Sequence, residues 1–173
     1  MHQRNNISEP EIIKLSEKIC GCIIQLSEYL ECESLFCYQS FSSEVDTKLL
    51  IQHAWDIGKK VAIPKVAGKN KMDFCFIEKG QLLKENCYGI LEPISESGLA
   101  FPDEKTMFII PGLVFDKNGY RIGYGAGYYD FYLAEYKPLA TIGICFDFQV
   151  IDNVYPDLHD IPVSKVVTEK SIY

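Results

Sequence analysis

The chain lacks any apolar run approaching the ~20 residues that span a bilayer, and Met1-His2-Gln3-Arg4-Asn5-Asn6 lacks the apolar core of a secretory leader. Neither membrane insertion nor export is expected, and the expected compartment is the cytosol. There is no lysine- and arginine-rich stripe either. Seventeen basic residues are scattered among twenty-four acidic ones for a formal charge of −7, a poor electrostatic footprint for a phosphate backbone, so no nucleic-acid partner is expected. The seven cysteines, Cys20, Cys22, Cys32, Cys37, Cys75, Cys87 and Cys145, contain no C-x-x-C pair. Cys20 and Cys22 are two apart in a helical pattern, so they point about 200° from each other and cannot share a metal. An odd set of thiols without ligand spacing reads as small hydrophobes in a reducing compartment. His2, His53 and His159 are the only histidines, and none has a sequence pairing with serine or cysteine that suggests a triad. Repeats, low-complexity tracts and Pro/Ser-rich linkers are absent.

What is present suits one core. At 173 residues, 47% hydrophobic, the chain is long enough for one good core and short for two, so a single domain over residues 1–173 is expected. Ser8-Glu9-Pro10-Glu11 reads as a capping box with proline in the first turn. Ile12, Leu15, Ile19, Ile23, Leu26 and Leu30 then predict one long amphipathic helix. Asp46 or Thr47 is placed to cap a second helix that stops at Gly58. Leu35–Tyr38, Val61–Ile63, Phe74–Ile77, Met107–Ile110 and Thr141–Cys145 are short apolar runs bounded by breakers, which read as buried strands. Helices alternating with such strands argue an α/β domain with a mostly parallel sheet covered on both faces. Ligands favour the carboxyl ends of the strands in such sheets, so the segments after Tyr38, Phe115 and Cys145 are expected to converge there.

One segment stands out. Pro111-Gly112-Leu113-Val114-Phe115-Asp116 is followed by Gly119-Tyr120-Arg121-Ile122-Gly123-Tyr124-Gly125-Ala126-Gly127-Tyr128-Tyr129-Asp130. Glycines let the backbone approach a ligand, and successive N–H groups before a helix attract anions. The pattern is neither G-x-G-x-x-G nor a loop closed by Gly-Lys-Ser/Thr, so on its residues alone it suits either phosphate binding or a turn built for close packing. Asp130 suits either a divalent cation or simply the dipole at a helix start. Tyr120, Tyr124, Tyr128, Tyr129 and Tyr132 make a local aromatic cluster.

Together with Ser43-Glu44-Val45-Asp46-Thr47, Val61-Ala62-Ile63-Pro64-Lys65-Val66, Gly89-Ile90-Leu91-Glu92-Pro93, Gln149, Leu158-His159-Asp160-Ile161-Pro162-Val163 and Val167-Thr168-Glu169, this run resembles the signature of the 5-formyltetrahydrofolate cyclo-ligase (methenyltetrahydrofolate synthetase) family over nearly the whole chain from about Arg4. The resemblance implies a three-layer α/β/α domain like that of sugar-phosphate isomerases and CoA transferases. It also implies a cytosolic monomer that uses ATP and Mg²⁺ to cyclise 5-formyltetrahydrofolate to 5,10-methenyltetrahydrofolate, releasing ADP and phosphate. A folate- or nucleotide-binding paralogue without turnover, and a phosphorylated-sugar enzyme of the same broad fold, are the alternatives.

By the same resemblance, Arg121, Ile122, Gly123, Tyr124, Gly125, Ala126, Gly127, Tyr128 and Tyr129 line the ATP, with Arg121 and Asp130 as the catalytic pair. Tyr124 through Tyr128 also border the folate, Glu44 accepts the pterin N–H groups and Gln39 lines the folate site. Asp130 and Asp160 are the implied Mg²⁺ ligands, with His159 a supporting group. Tyr124, Ala126 and Phe131 stand where relatives carry arginine, glycine or lysine. The Lys-x-x-Leu-Arg helix that relatives carry before the arginine resembling Arg4 is expected to have no counterpart here. Arg121 is therefore expected to be the main cation of the site, with Lys65 the nearest substitute, and ATP binding is expected to be weak.

Overall fold

The computed structural model describes residues 4–68, 71–86, 89–94 and 98–173; His2 and Cys87 lie outside them. In chain order its elements are α1 Glu9–Ile23, α2 Ser27–Glu31, β1 Ser34–Cys37, α3 Lys48–Asp56, β2 Lys60–Gly68 and β3 Lys71–Ile77. Then come β4 Leu83–Glu85, β5 Leu91–Pro93, β6 Leu99–Ala100, β7 Thr106–Ile110, β8 Val114–Asp116 and β9 Arg121–Ile122. α4 Tyr128–Glu135, β10 Ala140–Ile144, β11 Val150–Ile151 and β12 Lys165–Val167 complete the fold.

Seven strands form the main sheet in the order β12-β10-β7-β1-β2-β3-β6. The first five pair in parallel, while β2 with β3 and β3 with β6 pair antiparallel. Alternate residues point to opposite faces of a strand, so Leu35 and Cys37 join a core that includes Ile19, Ile23 and Leu50 of α1 and α3. Phe36 between them joins Phe108, Phe115 and Tyr132 on the other face, where α4 lies. β7 and β10 are buried at every position, as befits parallel strands covered on both sides. The mostly parallel sheet between helical layers is the α/β/α arrangement expected.

The first helix differs from its expected length. α1 stops at Ile23, Leu26 is extended, and α2 begins at Ser27. A straight continuation would have aimed Leu30 at the core; the break leaves Leu30 65% exposed and buries Tyr29 instead. The larger ring removes more apolar surface from water, and its hydroxyl lies 2.9 Å from His53 Nδ1. Ser8 also caps differently from expectation: its side chain makes no cap bond, and its carbonyl accepts the Glu11 and Ile12 N–H groups.

α3 keeps its expected bounds by divided means. Asp46 Oδ1 accepts the Lys48 N–H at 2.9 Å, whereas the Thr47 hydroxyl donates to the Tyr38 carbonyl. Gly58, at φ +80°, closes the helix with Gly58 N–H to Trp55 O and Lys59 N–H to Ala54 O, the paired bonds that a left-handed residue after a helix permits. β2 runs past Pro64 to Gly68, longer than expected. β1 accompanies it only as far as Ala62, so beyond that point β2 is an edge on one side and tolerates a residue without an N–H.

Candidate functional site

A narrow, shallow cleft opens at the carboxyl ends of β1, β7 and β10, lined by Arg4, Tyr38, Glu44, Val45, Pro111, Gly112, Ile144 and Gln149. The expected convergence after Tyr38 and near Cys145 is therefore observed. The turn carrying Glu44 is held from several sides. Tyr38 Oη donates to Val45 O at 2.9 Å, Thr47 Oγ1 donates to Tyr38 O at 2.8 Å, and Ser16 Oγ accepts the Asp46 N–H at 2.8 Å. Ser42 takes φ +54°, a left-handed conformation that costs a non-glycine residue of order 1 kcal/mol. That sharp reversal sets Ser43 and Glu44 at the mouth of β1.

Glu44 is half-buried, and Oε2 accepts the Phe41 N–H at 3.1 Å. Burial pushes its carboxyl above the ordinary glutamate value, partly opposed by the Phe41 N–H and by the charge of Arg4. Arg4 was not expected here. Its side chain is buried, Nε donates to Ser43 Oγ at 3.1 Å and Nη2 donates to Tyr124 Oη at 2.8 Å. Arg4 thus ties the cleft to the glycine run, and the expectation of Arg121 as the main cation is corrected. The hint in the sequence was a lone arginine before a capped helix, which propensity cannot distinguish from a solvated one.

The glycine run divides in two. In its first half every constraint lies inside the protein. A Cβ on Gly112 would stand 2.5 Å from the Phe115 ring, and one on Gly143 of β10 would stand 2.4 Å from the same ring, so the two glycines make its seat. Gly119, at φ +90°, lies against Val163, where a Cβ would come within 2.3 Å of the carbonyl. Asp116 is buried; Oδ1 accepts the Asn118 and Tyr120 N–H groups and Oδ2 that of Val154. Gln149 spans the cleft floor, donating to Leu113 O at 2.9 Å and accepting the Phe146 N–H.

The second half is open. A Cβ on Gly123 or Gly125 would meet nothing within 4 Å, and Tyr124 between them is 63% exposed. Gly125 at φ +88° and Gly127 at φ +65° turn the loop into α4, whose first turn holds Asp130.

Arg121 and Asp130 form an ion pair at 2.8 Å, with the arginine side chain 5% exposed and the aspartate 29%. Arg121 Nη1 also donates to Ile161 O at 2.8 Å, while Asp130 Oδ1 accepts the Ile161 N–H at 3.2 Å. This exchange brings residues 160–161 to the start of α4, so the two implied metal ligands share one corner. Asp160 Oδ2 accepts the Asp157 N–H, and Asp130 Oδ2 has no protein partner among the described residues. Among the described residues no group of three or more His, Cys, Asp or Glu side chains could hold a metal. Two hard carboxylates suit Mg²⁺, which commonly takes one or two of them together with phosphate oxygens, so the residues fit that ion as a partner of a bound nucleotide.

Other expected residues disperse. Gln39 is half-buried but is not among the residues lining the cleft, and His159 is exposed. Of the five tyrosines, Tyr128, Tyr129 and Tyr132 join the core on the α4 face, so the expected cluster forms only in part. Tyr132 packs on Phe74 and Tyr136 in the core, Tyr124 is exposed, and Tyr129 lies under Arg121 with 6.0 Å from guanidinium to ring. Burial raises the Tyr129 phenol, with Cys37 and Glu44 adding to it and the charge of Arg121 opposing it. Lys65 lies on β2 opposite Asp73 of β3, and its charge lowers the Cys75 thiol, which burial raises more strongly. The six described cysteines are free thiols. Burial pushes Cys20 up to about 11 and Cys37 and Cys145 well above the ordinary range, so these three are packing groups rather than nucleophiles.

The fold and site together define an α/β protein with a cleft at the carboxyl edge of a mostly parallel sheet and a glycine loop tied to it through Arg4 and Tyr124. A model of the 5-formyltetrahydrofolate cyclo-ligase family matches residues 1–169, and the chain belongs to that family. It is 33% identical to a Schizosaccharomyces pombe protein described as "Probable 5-formyltetrahydrofolate cyclo-ligase", over 91% of this chain and 85% of the other. The NMR structure of Aquifex aeolicus 5,10-methenyltetrahydrofolate synthetase superposes with a TM-score of 0.86 at 34% identity, covering 99% of this chain and 86% of that one. A Mycoplasma pneumoniae 5,10-methenyltetrahydrofolate synthetase shares the fold, with a TM-score of 0.76 at 23% identity over 97% and 93% of the two chains.

Proposed function

We propose that this chain is a 5-formyltetrahydrofolate cyclo-ligase, converting 5-formyltetrahydrofolate and ATP to 5,10-methenyltetrahydrofolate, ADP and phosphate. The observation that carries the reading is the contrast within the glycine run. Gly112, Gly119 and Gly143 are accounted for by Phe115 and Val163, whereas the space beside Gly123 and Gly125 is empty of protein. A backbone free of Cβ atoms before a helix start is a surface for phosphate oxygens. The adjoining cleft supplies a desolvated carboxylate, Glu44, to accept two neighbouring pterin N–H groups.

In this reading the formyl oxygen attacks the γ-phosphorus and ADP departs. N10 then attacks the activated formyl carbon and loses its proton, and phosphate leaves with the former formyl oxygen as the ring closes. The protein acts by positioning and charge neutralisation. Arg121 through Tyr129 lie along the nucleotide, and Tyr124 through Tyr128 also face the folate. Arg121 holds Asp130 in place through their ion pair and Ile161. Asp130 and Asp160 would hold Mg²⁺, which when bound neutralises phosphate charge. Gln39 is assigned to the outer folate wall. The reaction is read directly by incubating the protein with ATP, Mg²⁺ and 5-formyltetrahydrofolate and following the near-ultraviolet absorbance of the methenyl product together with ADP release. Binding of both compounds without product would make the chain a non-catalytic paralogue; binding of neither would overturn the assignment.

A further inference from the structure

Arg4 and Asp116 are the only charged residues buried as whole residues among the described residues. Asp116 is satisfied by three backbone N–H groups. Arg4 is not matched in this way. Its Nε and Nη2 are held by two neutral hydroxyls, Ser43 Oγ and Tyr124 Oη, and no carboxylate of the described residues lies within ion-pair distance. Nη1 has no acceptor among the described residues, and the side chain lines the same cleft as Glu44, whose carboxyl its charge lowers. No buried side-chain nitrogen or oxygen of the described residues lacks a hydrogen-bond partner, so Nη1 is not sealed inside the protein and stays open to an acceptor that enters the cleft. Two hydroxyls orient it; neither neutralises it.

We propose that Arg4 is a specificity-determining residue that donates from Nη1 to the 4-oxo oxygen of the bound pterin. This inference rests on the folate reading of the cleft. A 2-amino-4-oxopteridine presents along one edge two donors, the 2-amino group and N3–H, followed by one acceptor, the 4-oxo oxygen. A carboxylate beside a guanidinium offers the complementary order, two acceptors and then a donor. Glu44 reads the first two positions and Arg4 the third. Because Arg4 is also bound to Tyr124 of the glycine loop, the residue that reads the pterin is fixed by the loop assigned to ATP.

The test uses 5-formyltetrahydrofolate labelled with ¹³C at C4, with the full chain as it stands. Binding to the wild type should displace the C4 carbonyl resonance downfield, the signature of a charged donor on that oxygen. Arg4→Met should abolish the displacement and raise the Kd for this ligand about 10- to 10²-fold, while the Kd for ATP, touched only through the lost Tyr124 contact, rises by a clearly smaller factor. A displacement that persists in Arg4→Met, or an equal loss of ATP and folate affinity, would assign Arg4 to structure and overturn the inference. The wild-type spectrum decides the question even if the variant does not fold, since binding without any C4 displacement also overturns it. If the labelled compound does not bind the wild type at all, the folate reading itself fails.

Discussion

The two halves of the segment from Pro111 to Tyr129 differ in what their glycines answer to. Between Pro111 and Tyr120 the neighbours are protein: Phe115 is wedged between Gly112 and Gly143, and Val163 presses on Gly119. Between Arg121 and Tyr129, Gly123 and Gly125 face open space. One stretch of similar composition therefore serves packing at one end and leaves room at the other. Glycine content alone is no guide to a binding loop. What sets this loop apart is that its open glycines flank Tyr124, which Arg4 ties to the cleft, and lead into α4.

The largest expected effect tests the open half. Asp130→Asn should lower turnover about 10²- to 10³-fold, measured well below the melting transition, because a carboxylate assigned to metal and phosphate loses its charge. Melting should fall as well by a few degrees, since Arg121 loses its counter-ion in a pair whose arginine is almost fully buried. Near-normal turnover would remove Asp130 from the site and leave it a structural partner of Arg121.

Next comes a paired substitution that contrasts the halves directly. Gly143→Ala should destabilise the fold by about 1–3 kcal/mol, because the new methyl group meets the Phe115 ring in a packed core; a chemical denaturation curve measures it. Gly123→Ala should leave stability within about 0.5 kcal/mol and weaken ATP binding roughly tenfold, read by calorimetric titration. Equal stability losses for both would erase the distinction between the halves.

The smallest effect concerns Glu44. Its carboxyl is raised by burial, so in the folded chain it keeps its proton to higher pH than in the unfolded one. As pH rises through the ordinary glutamate value the unfolded state ionises first, and stability is lost until the folded-state value is passed. Glu44→Gln should therefore melt higher than wild type near pH 7, and the gain should vanish below the ordinary glutamate range. Folate affinity should move the other way, weaker in Glu44→Gln at pH 7 and falling in wild type as acidification protonates the carboxyl. A variant that melts lower at every pH would mean that the Phe41 N–H contact outweighs burial.

Much of the fold was legible because it depends on local pattern. Apolar runs such as Met107–Ile110 and Thr141–Cys145 can only be buried strands when they are short and bounded by breakers, and the stop at Gly58 follows from its left-handed backbone. The failures came where distant partners decided the outcome. The break after Ile23 reflects Tyr29 meeting His53 from α3, and the tyrosine cluster forms only in part because Tyr128, Tyr129 and Tyr132 join the core while Tyr124 stays exposed. In the site, Glu44 and Asp130 carried a motif. Arg4 did not.

By itself the sequence determined five strands of the main sheet, the start of α1, the bounds of α3 and the family, since these follow from periodicity, turn residues and motif spacing read along the chain. The tertiary structure alone decided which glycines are packed and which are open, that Arg121 is spent on Asp130, and that Arg4 reaches the cleft across 120 residues to Tyr124. The reason is physical. A side chain's charge and shape belong to the residue, but its counter-ion, its burial and the space left beside it come from whatever the fold brings near, and no local pattern carries that information.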